Sequence, residues 1–287
     1  MKLALGTAQF GLSYGIANHA GQVSPPDVKS MLELAAAHNI DTLDTAICYG
    51  DSEAVIGNAG AHAFKLVTKL PAVPDSCICI EEWVHSQVSA SLYRLGVRSV
   101  FGLLLHSSSQ LLESYGNVLF QTLQDLKESG MVQKIGVSIY SPDELELLIP
   151  RFCFDLVQAP FNLIDRRLLH SGWLHRLKQD GVEIHSRSAF LQGLLLMPLS
   201  SIPAKFSAWN DLLTSWHAWL SEHEISALQA SIGFSLAVSE IDRVIVGAES
   251  VLQLNEIIDA AQTIPESFPD LLCKDENLIN PSRWHLL

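Results

Sequence analysis

Leu3-Ala4-Leu5-Gly6-Thr7-Ala8-Gln9-Phe10-Gly11 is the stretch that separates two α/β architectures. It reads as a short apolar strand running into a turn, where a doubly wound dinucleotide-binding sheet would carry G-x-G-x-x-G. Here Gly6 and Gly11 enclose Thr7 to Phe10, so that spacing is missing. The stretch instead opens a series. Runs rich in Val, Ile and Leu recur at 3–8, 42–46, 65–69, 101–106, 134–138, 156–160, 182–188 and 243–247, with segments of helical period between them. These strands, with no composition break, Ser/Gly linker or low-complexity tract, predict a single closed (β/α)8 TIM barrel of the α/β class. The doubly wound sheet is the weaker alternative. The expected organisation is one domain over 1–287, with the barrel at about 3–263 and a tail over 264–287.

Helix punctuation supports the series. Pro25-Pro26-Asp27 opens a segment carrying Val28, Met31, Leu32, Leu34 and Ala35 that closes at His38-Asn39. Ser141-Pro142-Asp143-Glu144 reads as an N-cap, a first-position proline and two first-turn acids. Segments 80–95 and 116–129 end near Gly96 and Gly130. The stretch 194–225, with Trp209, Trp216 and Trp219, exceeds an ordinary βα connection and predicts a loop with an extra helix over the barrel mouth. The tail is a second candidate cover, with Trp284 and His285.

Composition narrows the function classes. The 287 residues carry a net charge of −13, which repels phosphate backbones and anionic lipid surfaces, so nucleic acid and membrane are not expected partners. Hydrophobic residues make up 48% and charged ones 17%, enough to bury a large core. Cys48, Cys77, Cys79, Cys153 and Cys273 lack the paired spacing of a zinc site, so reduced thiols and no metal are expected. MKLALGTAQFG offers no signal-type apolar region and no run approaches a membrane span, which points to a cytoplasmic protein. Oligomeric state is left open.

In a barrel of this kind the chemistry sits where the strands end. Strand two ends in Asp44-Thr45-Ala46 and leads to Tyr49, strand three ends in Thr68-Lys69, and strand four ends in Leu105-His106. Each residue alone has a bland reading as a turn residue, a solvated cation or a structural histidine. Together they differ, because Lys69 follows a buried-type strand and needs a partner that Asp44 can supply. Tyr49 becomes an acid whose pKa a nearby cation would lower, and His106 can donate a hydrogen bond that orients a carbonyl oxygen.

At these residues the sequence resembles the aldo-keto reductases. The matching pieces are 6–11, Asp44-Thr45-Ala46, Tyr49-Gly50-Asp51-Ser52-Glu53, Thr68-Lys69, Leu105-His106, 135–138, Val157-Gln158-Ala159-Pro160-Phe161-Asn162, Gln192-Gly193-Leu194 and Val246-Gly247-Ala248-Glu249-Ser250, in order over roughly 3 to 263. The resemblance implies that Asp44, Tyr49, Lys69 and His106 form the catalytic tetrad of an NADP(H)- or NAD(H)-dependent reductase of aldehydes or ketones. It places the nicotinamide carboxamide near Ser138 and Gln158, with Gly6 and Thr7 beneath the cofactor. Ser188, Phe190, Gln192 and Gly193 would pass under the pyrophosphate, and Gly247, Ala248, Glu249, Ser250 and Gln253 would meet the adenosine end. Backbone donors at Gln192-Gly193 and near Ser250 suit phosphate. Phe10, Tyr14, Phe161 and Asn162 are candidate walls for a small-molecule carbonyl substrate, and the opening string resembles members associated with sugars.

Departures from the family pattern are as informative. Ile139 stands where an asparagine usually follows the strand-five serine. Arg187 aligns with the aromatic ring that many members stack on the nicotinamide, and a hairpin plugging the barrel bottom is missing. Segment 247–257 holds Glu249, Gln253 and Glu256 but no Arg or Lys, so weak discrimination between the cofactors is expected. Two alternatives use the same fold: a Schiff-base aldolase acting through Lys69, and a cofactor-binding sensor or partner subunit.

Overall fold

The computed structural model describes residues 1–18 and 20–287. Strands β1 (Leu3–Gly6), β2 (Thr42–Asp44), β3 (Lys65–Leu70), β4 (Val100–Leu105), β5 (Val132–Ser138), β6 (Leu156–Pro160), β7 (Glu183–Arg187) and β8 (Arg243–Gly247) pair in parallel and in order. β1 also pairs with β8, and the sheet closes into the expected barrel. The strands are short apolar runs buried on both faces, as a parallel sheet wrapped by helices requires.

Helices Pro25–Ala37, Ser52–Ala59, Ile80–Leu95, Gly116–Glu128, Asp143–Leu148, Trp173–Gln179 and Ala227–Ala237 lie between successive strands. The cap signals explain most starts and stops. Ser24 Oγ accepts from the Asp27 amide ahead of the Pro25-Pro26 pair. The helix expected at Ser141-Pro142 begins one residue later, but Ser141 Oγ still accepts from the Asp143 amide and Glu144 accepts from the amides of Tyr140 and Ser141.

The core has two parts. A large cluster fills the space between sheet and helices, while Val67, Leu104 and Leu156, with Phe101 beside them, pack inside the barrel. At the bottom Lys65 and Lys134 stand over the Phe101 ring at 5.5 and 5.1 Å. They are held there by Asp41 and Glu183 respectively. Phe101 and these two ion pairs thus stand together at the bottom of the barrel.

The long β7–β8 connection contains short 3-10 turns and the extra helix Asn210–Glu222, anchored by a hydrogen bond from Trp216 Nε1 to the Leu195 carbonyl at 3.0 Å. Leu196, Met197, Pro198 and Ser201 from this connection line the mouth of the barrel. The tail covers something else. Trp284 is buried against Phe206 at 4.8 Å and donates to the Leu278 carbonyl, while His285 Nδ1 lies 2.7 Å from the Ser282 carbonyl. No residue of 264–287 lines the cavity, because the tail's apolar groups are spent on packing outside it.

Candidate active site

The barrel register sets Gly6 beside both Asp44 and Gly247, Ser138 beside Gln158, and Arg187 beside Pro160. These residues ring the C-terminal end of the barrel, where loops can move without disturbing the ladder. A cavity of about 710 Å³ opens there. Gly6, Thr7, Tyr14, Asp44, Tyr49, His106, Ser138, Gln158, Arg187, Ser188, Phe190, Gln192, Gly193, Gly247, Glu249 and Gln253 all line it.

Asp44 organises the floor. Its Oδ1 accepts from Lys69 Nζ at 2.6 Å and its Oδ2 from Gln158 Nε2 at 2.7 Å. Lys69 also donates to the Thr45 carbonyl at 2.9 Å. Asp44, Lys69 and Gln158 are all buried, so each charge and amide needs these partners to offset desolvation. Burial lowers the pKa of Lys69, and Asp44 opposes that shift. Lys69 does not line the cavity. It is therefore placed to support its neighbours and not to attack a substrate, which argues against the aldolase alternative.

Tyr49 sits with its ring 5.2 Å from Lys69 Nζ and edge-on to His106 at 5.9 Å. Its backbone is gripped from below. A Cβ on Gly11 would meet the Tyr49 carbonyl oxygen at 1.8 Å, so only glycine lets β1's turn approach this loop. Ser52 Oγ donates to the Thr7 carbonyl at 2.9 Å, and buried Glu53 accepts from Thr68, Ser91 and Arg94. The string Tyr49-Gly50-Asp51-Ser52-Glu53 thus carries its own anchors.

The electrostatics depart from the expectation that Lys69 lowers the tyrosine pKa. Burial pushes Tyr49 well above its usual value and Asp44 and Tyr14 add to that, while Arg187 is the cation that pulls it down. Asp44, which sits 2.6 Å from Lys69 Nζ, raises the Tyr49 pKa and so opposes there what the Lys69 cation would supply. Burial, then the cations Lys69 and Arg187, lowers His106 to about 4, so its imidazole is neutral at physiological pH.

Several expected contacts are placed elsewhere. Phe10 is fully buried outside the cavity, and Phe161 stacks on Phe234 at 5.2 Å as core packing. Asn162 is likewise buried. Its Nδ2 donates to the Ser188 carbonyl and its Oδ1 accepts from the amides of Ile164 and Asp165, so it braces the β7 loop and meets no substrate space. Ala248 and Ser250 do not line the cavity either. Ser250 Oγ accepts from the Gln253 amide and Gln253 Oε1 from the Glu249 amide, so two donors expected for phosphate are used within the cap of helix Val251–Ala260.

The loop after β7 is conformationally unusual. Ser188, Leu191, Gln192 and Gly193 all have positive φ. Gly193 at φ 93° faces Ala17, whose Cβ would lie 2.6 Å from any side chain there. Its amide donates to the Phe190 carbonyl at 2.9 Å, a bond within the loop itself. Arg187 stacks on Tyr140 at 4.6 Å and donates to the Ile139 carbonyl at 2.9 Å. It does not stand alone over the floor as the aligned aromatic ring would.

Sequence reasoning missed Gln9 and Tyr140. Gln9 fills the space above Gly247, where a Cβ would meet its amide at 2.7 Å. The opening string contained Gln9, but nothing in it shows that β1 and β8 are neighbours. Among the described residues no group of three or more His, Cys, Asp or Glu could hold a metal ion, and no helix is long and apolar enough to cross a membrane.

Comparison with known proteins agrees with this geometry. The profile of the aldo/keto reductase family matches residues 2–269. The chain is 26% identical over 222 residues to the oxidoreductase sirO of Leptosphaeria maculans, covering 72% of this chain and 65% of that protein, just under two thirds of its length. It is 25% identical over 254 residues to the uncharacterized oxidoreductase YqkF of Bacillus subtilis, covering 81% of each. Among solved structures it is similar to the aldo-keto reductase AKR11C1 of Bacillus halodurans in its holo form, with a TM-score of 0.74, 18% identity and coverage of 93% and 88% of the two chains. That likeness shows the fold. The chain belongs to the aldo/keto reductase family.

Proposed function

We propose that this chain reduces an aldehyde or ketone to an alcohol, with Tyr49 as proton donor, Lys69 and Asp44 as its support, and His106 as the group that orients the carbonyl. The observation that carries the reading is the buried Lys69–Asp44–Gln158 chain beneath Tyr49 and His106 at the floor of one cavity. The cavity's volume lies within the roughly 300–1,000 Å³ of ligand and cofactor sites. Its polar floor and its lining from β1, β5, β6, β7 and β8 suit an extended nicotinamide cofactor held without a separate nucleotide-binding domain.

A bound reduced nicotinamide supplies the hydride. The chain supplies the rest. Neutral His106 donates a hydrogen bond to the carbonyl oxygen and holds it beside Tyr49. The raised pKa keeps the tyrosine protonated, so at neutral pH the O–H is present to transfer its proton as negative charge develops on that oxygen. Lys69, 5.2 Å from the ring, then lies near the tyrosinate that remains. Ser138 and Gln158 would hold the carboxamide. Gln158 does so with reduced capacity, since one donor is given to Asp44 and its Oε1 lies 3.4 Å from Ser138 Oγ.

The five free thiols, Cys48 among them, fit a reducing compartment such as the cytoplasm. The test is oxidation of NADPH and NADH by purified protein against a panel of carbonyls that includes an aldose. A sensor subunit would bind either cofactor and turn over none of the panel.

A further inference from the structure

The charge at the reacting end of the cavity does not cancel. Lys69 is matched by Asp44 at 2.6 Å, and neither Tyr49 nor His106 carries charge at neutral pH. Arg187 is different. Its guanidinium donates to the Ile139 carbonyl at 2.9 Å and to Ser188 Oγ at 3.3 Å and lies over the Tyr140 ring at 4.6 Å, all neutral partners. Among the described residues it is the only Lys or Arg lining the cavity. It lines the same cavity as Tyr49 and His106, and its charge lowers the pKa of Tyr49, Lys69 and His106 alike. Two hydrogen bonds leave further N–H donors of the fork for a ligand, in a geometry that matches two oxygens of a carboxylate or of a phosphate.

We propose that the carbonyl compound taken by this site carries an oxyanionic group, a carboxylate or a phosphate, and that Arg187 receives it. The inference rests on the reductase reading above and names the substrate class for that site. A partly desolvated guanidinium gains more from a charge-assisted pair than from neutral acceptors. The oxyanion would also offset repulsion between Arg187 and the cationic nicotinamide left after hydride transfer. In the reaction the carbonyl carbon gains the hydride and its oxygen gains the Tyr49 proton, while the oxyanion is unchanged.

The experiment compares kcat/KM for 4-carboxybenzaldehyde with its neutral analogue methyl 4-formylbenzoate, and for glyceraldehyde 3-phosphate with glyceraldehyde. The two pairs separate a carboxylate from a phosphate. We expect a preference of at least tenfold for the anionic member of one pair, falling below twofold in Arg187→Met and partly kept in Arg187→Lys. Binding of 4-(hydroxymethyl)benzoate and of inorganic phosphate to cofactor-loaded protein, followed by calorimetry, should show the same loss in Arg187→Met for the favoured anion. Turnover without an anionic preference in either pair, or a preference that survives Arg187→Met, would overturn the inference and leave the reductase reading standing. No turnover of any carbonyl would remove both.

Discussion

Cys48 Sγ lies 3.2 Å from Nδ1 of His106, whose ring meets Tyr49 at 5.9 Å. Burial raises the Cys48 pKa, so the thiol is protonated at neutral pH, and a nitrogen lone pair is a far better acceptor than sulfur. An S–H that donates to Nδ1 fixes the tautomer in which Nε2 carries the imidazole proton that a carbonyl oxygen needs, and the Cys48 variants test that direction. Cys48→Ala should lower kcat/KM by roughly three- to tenfold, the order of one hydrogen bond, with cofactor affinity unchanged. Cys48→Ser should restore most of it. Equal kinetics for the alanine variant and the parent protein would show that something else sets the tautomer.

The same imidazole makes a statement about pH. A free histidine would charge near 6.5, but burial and the cations Lys69 and Arg187 hold His106 to about 4. The folded-state pKa is lowered, so the neutral form persists as pH falls and is lost only near 4. The acid limb of kcat/KM should stay flat from about pH 8 to 5. An acid limb centred between 6 and 7 that disappears in His106→Gln would contradict this environment.

Tyr49→Phe removes the proposed proton donor. Carbonyl reduction should fall by at least the roughly hundredfold typical of losing a general acid, with cofactor affinity nearly unchanged. Lys69→Met and Asp44→Asn each break one buried pair, and the double variant should cost less than the sum of the two. Additive losses in a double-mutant cycle would show that the pair does not act as a unit.

Cofactor choice follows from Glu249, Gln253 and Glu256, which line a cavity whose one Lys or Arg among the described residues is Arg187, while segment 247–257 itself holds no cation. The 2′-phosphate of NADPH is normally met by cations, each charge-assisted bond worth about 1.5–3 kcal/mol. NADPH should be favoured over NADH by less than about tenfold, or disfavoured, and Glu249→Lys should shift the ratio toward NADPH. Fluorescence titration of both cofactors reads this directly, and a hundredfold preference for NADPH in the unmodified protein would count against it.

Glu183 ties the barrel bottom to acid stability. Burial would raise its pKa, but hydrogen bonds from His185 and Lys134 bring it to about 2, below the ordinary 4.5. A depressed carboxylate stabilises the fold above its unfolded pKa and loses that contribution as pH falls toward 2. Glu183→Gln should cost on the order of 2–3 kcal/mol at pH 7, and the difference from the parent protein should shrink between about pH 4.5 and 2. Urea unfolding at several pH values measures it; a difference constant down to pH 2 would refute the linkage.

Much of the barrel was legible because its signals are local. Each strand is a Val, Ile and Leu run, and Pro25-Pro26-Asp27 marks a helix start within a few residues. The Asp44, Tyr49, Lys69 and His106 set was legible for a related reason: each stands at or just past a strand end, and strand ends of a closed parallel barrel share one rim. Phe10, Phe161 and Asn162 misled because an aromatic or amide side chain beside a strand can face the cavity or the helices. One residue of rotation decides between them.

Chain order and residue type therefore settle the architecture, the rim and the polar groups delivered to it, since hydrophobic period and caps act over a few residues. Orientation and partnership are settled only by packing across the barrel. Gln158 reaches Asp44 from 114 positions away, Cys48 meets His106 from 58, and Arg187 turns to Ile139 and Tyr140 from across β6. Such pairs depend on which strands are neighbours and how the side chains exclude water. Charge balance and pKa follow from those distances and that burial, which no stretch of sequence contains.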